Sequence, residues 1–146
     1  MTRRRAARRA AVAAAASVLA LVPVAVAAEQ AKVKPPRSGK YEGRPGRLTI
    51  YTAGKSIELV SFHFKCRNTR GTTSLNGIPL KKSKRGYRFA IKAHGSVEYA
   101  DQSAPENGVV DISGRFSRTG RSAKGSLKVR TARCGGTGRI NWRAAR

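Results

Sequence analysis

IELVSFHFKC, residues 57–66, places apolar side chains at every second position once past Leu59: Val60, Phe62, Phe64 and Cys66 fall on one side, and Ser61, His63 and Lys65 on the other. A period of two belongs to a strand with one buried face, because successive side chains of an extended chain point in opposite directions. Ile57 and Leu59 keep the opposite phase, so the alternation slips at Leu59-Val60. A slip of one residue is what a β-bulge produces, or what a long strand shows where it bends from one sheet into another. His63 is then an outward residue between two inward phenylalanines.

The same reading extends in both directions. Upstream, Leu48 and Ile50 share a face, and Ala53-Gly54-Lys55 turns the chain into residues 57–66. Downstream, Asn76-Gly77 and Pro79 place their segment at a sheet edge, since proline cannot donate to a ladder, and a cationic turn covers residues 81–85. Tyr87, Phe89 and Ile91 alternate with Arg88, Ala90 and Lys92; GSVEYAD adds a short strand, and QSAPENG is a loop. Val110, Ile112 and Phe116 face inward with Gly114 between them, then Leu127, Val129 and Thr131, then Ile140 and Trp142. Past residue 40 no window keeps the three-to-four-residue apolar spacing of a helix. The expected fold is all-β, an antiparallel β-sandwich or flattened β-barrel of about seven or eight short strands.

The first 28 residues have the three-part layout of a secretory signal peptide: Arg3, Arg4, Arg5, Arg8 and Arg9, then an alanine-rich apolar run broken by Pro23, then small residues. Cleavage is expected after Ala27 or Ala28; the alternatives are a retained anchor and twin-arginine export. Residues 29–40, EQAKVKPPRSGK, read as a flexible basic linker, and residues 41–146 as a single all-β domain. Export puts the protein in a secreted or cell-envelope setting, where two cysteines most simply pair, giving a Cys66–Cys134 disulfide. A metal site would need more ligands than two distant thiols and two scattered histidines. Without the five leader arginines, 26 basic residues face 7 acidic ones, a formal charge of about +19. Such a charge keeps a protein soluble and draws it to polyanions.

Gly39-Lys40-Tyr41-Glu42-Gly43, Phe64-Lys65-Cys66, Ile78-Pro79-Leu80, Gly86-Tyr87-Arg88-Phe89, Gly114-Arg115-Phe116, Ala123-Lys124-Gly125 and the close CGGTGRINWRAAR occur in an order that resembles a group of small secreted actinobacterial all-β proteins of unknown function. The resemblance covers residues 39–146. It implies an exported all-β domain with Cys66 joined to Cys134, and it brings no catalytic residues. The group usually has Thr where this chain has Pro45, so the first turn differs.

No G-x-S-x-G elbow, phosphate-cradling motif or EF-hand loop occurs, and Glu98 and Asp101 read as a solvated pair among turn residues. No catalytic, cofactor or metal residue is assigned. A small secreted hydrolase or nuclease is one alternative; it would need His63 and His94 within reach of one phosphodiester. Another is an apolar-ligand carrier with a pocket between the sheets, lined by Phe62, Phe64, Phe89, Phe116 and Trp142; these also suffice to fill a core. The expected role is non-catalytic binding or structure at the envelope, by a monomer. Outward positions Arg47, Lys65, Arg88, Lys92, Arg115, Lys128, Arg130, Arg139 and Arg143, with turn cations Lys81, Lys82, Lys84, Arg85, Arg118 and Arg121, form a basic surface for anionic cell-wall polymer or a membrane surface. Tyr51 is the clearest outward aromatic, so sequence-specific nucleic-acid recognition is not expected.

Overall fold

The computed structural model describes residues 32–146, and the expected leader and cleavage site lie outside the described residues. Ten strands follow in order: β1 (Gly39–Arg44), β2 (Leu48–Ala53), β3 (Ser56–Cys66), β4 (Thr69–Pro79), β5 (Lys81–Ser83), β6 (Gly86–Tyr99), β7 (Glu106–Phe116), β8 (Ser122–Thr131), β9 (Gly135–Gly136) and β10 (Ile140–Ala145). All pairings are antiparallel and join strands adjacent in the chain, except that β4 pairs with β6 past the short β5 and that β10 pairs with both β8 and β1. That double pairing closes eight strands into an up-and-down barrel, with β5 and β9 as short appendages on β6 and β8. Closure removes the free edges an open sheet would carry and decides between the sandwich and the barrel.

The interior follows from alternation. On β6, Tyr87, Phe89, Val97 and Tyr99 are buried while Arg88, Lys92, His94 and Glu98 are exposed. Residues 60–66 behave as their pattern requires, with Val60, Phe62, Phe64 and Cys66 inside. Ile57 is also fully buried, because Tyr51 pairs with Leu59 and Thr52 with Ile57, leaving Glu58 as the extra residue of a bulge. The phase therefore slips at Glu58, just before the Leu59-Val60 junction. The aromatic rings pack on one another across the core: Tyr41 on Phe116 at 5.3 Å, Phe116 on Phe89 at 6.3 Å, Phe89 on Trp142 at 6.1 Å. Phe62, Phe64, Phe89, Phe116 and Trp142, considered above as a pocket lining, are all buried in this interior.

β4 is an edge over only part of its length. It pairs with β3 from Thr69 to Pro79, but with β6 only through residues 71–73. Pro79 sits in the stretch that has left β6, where its missing N–H costs no bond on that side.

Both ends of the barrel are covered. At one, Cys66 at the end of β3 is bonded to Cys134 after β8, with the Cα atoms 5.2 Å apart. β3 and β8 lie four strands apart in either direction around the barrel, so the disulfide straps the mouth from wall to opposite wall. At the other end, part of the segment expected to be a flexible linker is held, from Val33 on. Lys34 N–H donates to the Arg118 carbonyl at 3.0 Å and Arg37 N–H to that of Gly120 at 3.4 Å, while Pro36 is buried. The Tyr41 hydroxyl is shared between the carbonyls of Gly120 (2.5 Å) and Arg37 (3.0 Å). These contacts hold residues 34–37 against the β7–β8 turn, and Gly39 and Lys40 already belong to β1.

Candidate functional site

Antiparallel register converts the outward cations into rows. Arg44 on β1 stands opposite Arg143 on β10, Arg143 opposite Lys124 on β8, Lys124 opposite Arg115 on β7, Arg115 opposite Arg88 on β6, and Arg88 opposite Lys81 on β5. Six strands in succession thus present a cation at the same level of the ladder, a row roughly 24 Å long at ~4.8 Å per strand. Arg115 is half-buried and the other five are exposed. Like charges directly opposite across a ladder repel, so the row raises the energy of the free protein and favours any ligand that brings counter-charge.

Among the described residues little offsets it. Glu42 borders the row and is committed to Lys40, 2.5 Å away, a contact that raises the lysine pKa and lowers that of the carboxyl. Arg44, Arg115, Lys124 and Arg143 line two adjoining concavities on the outer wall. The first continues to Arg47 and His63, and these line a third concavity that reaches Lys65, Arg67 and Arg70. The result is a track rich in cations, with Glu42 and Asp101 the carboxylates on its lining.

The residues expected to form the basic surface divide on this geometry. Lys81, Arg88, Arg115 and Arg143 stand in the row, with Lys82, Lys84 and Arg85 on the adjacent β5–β6 hairpin. Lys92 and Lys128 do not join it, for each stands opposite Asp111. Arg130 lies opposite Val109 and Gly136, away from the row, and Lys65 opposite Arg70 near the far end of the track. Arg44 and Lys124 were missed. Arg44 precedes a proline and reads as turn, whereas it ends β1, its peptide bond to Pro45 being cis. Lys124 lies between Ala123 and Gly125, too small to signal the start of β8.

His63 and His94 are not brought together. The path from His63 crosses to Thr72 and then Glu98, and His94 lies four residues further along β6. That puts the imidazoles on the order of 15 Å apart along the sheet. His63 is half-buried, its Nδ1 3.2 Å from the Thr72 hydroxyl.

A polar cluster surrounds the disulfide. The Tyr99 hydroxyl donates to Glu106, lies 3.1 Å from the Thr131 hydroxyl and 3.5 Å from Cys134 Sγ. Arg133 covers the Tyr99 ring, 4.7 Å from its centroid, and its guanidinium pairs with Asp101. Asp101, expected to be solvated beside Glu98, is therefore an ion-pair partner. Its carboxyl is held below the usual range, first by the Ser103 hydroxyl and N–H and only then by Arg133; that of Glu106 is lowered chiefly by Tyr99. The Tyr99 phenol is pushed up, first by burial and then by Glu106. Each group is engaged by a neighbour that explains it, which makes the cluster a clasp around the disulfide. No group of three or more His, Cys, Asp and Glu side chains positioned for a metal occurs among the described residues.

No protein-family model, curated protein or solved structure matches this chain.

Proposed function

We propose that this protein is an exported, non-catalytic binding module whose barrel wall holds an anionic polymer of the cell envelope. The observation that carries the reading is the row from Lys81 to Arg44, in which every cross-strand contact is cation on cation. A charge serving solubility alone needs no alignment; scattered signs achieve it without mutual repulsion. The disulfide accords with an oxidising compartment.

Binding of this kind is driven by release of counterions, and its dependence on salt reports how many contacts form. With about six phosphate contacts on a flexible polymer, the log–log slope of affinity against salt is near −4, about −0.7 per contact. Affinity for inorganic polyphosphate is expected to fall roughly 250-fold between 50 and 200 mM salt. Reversing two central charges, Arg115→Glu with Lys124→Glu, should lower both the affinity and the slope. In washed cells the protein should leave the envelope fraction in molar salt. Retention unchanged by salt, or binding unchanged by the double reversal, sinks the reading.

A further inference from the structure

The row has a companion. Two residues along each strand, on the same outer face, lie Ala90, Ser113, Ser126 and Asn141, and these too are aligned: Ala90 opposite Ser113, Ser113 opposite Ser126, Ser126 opposite Asn141. The Ser113 and Ser126 hydroxyl oxygens are 3.4 Å apart, and Asn141 is exposed beside them. A spacing of two residues sets this neutral row ~7 Å from the cations. Ser113, Ser126 and Asn141 line the same concavity as Arg88, Arg115 and Arg143.

From this pairing we infer that the ligand is a polymer of phosphodiester-linked polyol units, lying across the strands with its phosphates on the cationic row and its hydroxyls on Ser113, Ser126 and Asn141. The inference rests on the reading above. Four of the six cations are arginines, whose planar fork matches a phosphate with two parallel hydrogen bonds. Hydroxyl and amide groups, each both donor and acceptor, match the alcohols that separate those phosphates. A row ~24 Å long, continued by further cations, fits an extended chain better than one small ion. Nucleic acid is the competing polymer, and it would call for aromatic platforms along the track. Tyr51, the one large apolar side chain exposed among the described residues, stands on β2 between Lys40 and Leu59, outside the row.

The test compares three polymers of equal phosphate number by titration calorimetry: poly(glycerol phosphate), inorganic polyphosphate and single-stranded DNA, the last two lacking free hydroxyls along the chain. Ser113→Ala combined with Ser126→Ala should weaken binding of poly(glycerol phosphate) about three- to tenfold, the effect of losing one or two hydrogen bonds. Binding of the other two polymers should change by less than about twofold. The serines are half-buried, so Asn141→Ala, at an exposed position, serves as the second variant and should act in the same direction. Equal losses for all three polymers, no loss for poly(glycerol phosphate), or DNA binding tightest to the native protein would each overturn the inference. The reversal at Arg115 and Lys124 separates the two claims. If it weakens every polymer while the neutral row has no effect, only the polyol assignment fails; if it weakens none, polyanion binding fails with it.

Discussion

Gly125 lies beneath the Trp142 ring, and a Cβ there would approach the ring carbons to 2.6 Å while colliding with the Ser113 carbonyl. Its ladder partner Gly114 is in the same position: a Cβ there would come to 2.5 Å from Trp142 and 2.9 Å from Phe89. The two glycines let the stacked rings lie flat against the wall. Gly125→Ala should therefore cost about 2–3 kcal/mol in urea unfolding, as overpacking of a filled core does. Gly54→Ala makes the control: its φ of +57° is left-handed but the space around it is empty, so only backbone strain of about 1 kcal/mol is expected. Gly114 was visible in the sequence as a gap in an inward alternation, but its reason was not, since Trp142 meets it only after β10 joins β8. For His63 the local pattern was enough, because the direction of an outward side chain is decided within its own strand.

Among the elements, residues 99–106 and 131–134 come together in one clasp, and acid should loosen it. The carboxyls of Asp101 and Glu106 are more acidic in the fold than in the open chain, so the stability they add is present above the ordinary carboxylate range and is lost as pH falls through their lowered values. The thermal midpoint is expected to decline from about pH 5 downward. Tyr99→Phe removes the main cause of the Glu106 shift and should flatten that decline; an unchanged acid profile would contradict the assignment. Strand existence was legible nearly throughout, since alternation is a property of each segment. Strand limits were less so: the start of β8 carries Ala123 and Gly125 on its inward side, and without large apolar groups there is no period to read. That one missed turn of alternation hid Lys124 from the expected basic surface.

At the scale of the molecule, the disulfide and the closing strand do related work. The bridge joins opposite walls over a separation of 68 residues, and in the chain-entropy account closing so long a loop removes about 4 kcal/mol from the unfolded state. Reduction, or Cys66→Ser with Cys134→Ser, should lower unfolding free energy by about that amount while leaving far-UV strand signal at moderate temperature; a midpoint indifferent to reductant would show that the strap contributes nothing. Neither alternation nor charge could reveal which strands are neighbours, and so the cationic row, which is a property of register around the wall, was foreseen only as a basic face. The pairing of β10 with both β1 and β8 carries one more consequence. Without β10, residues 39–136 would be a sheet with two raw borders, β1 and β8, each able to capture a strand from another copy. The hazard of mispairing between copies therefore belongs to any state in which residues 140–145 have not yet docked, and it ends when they do.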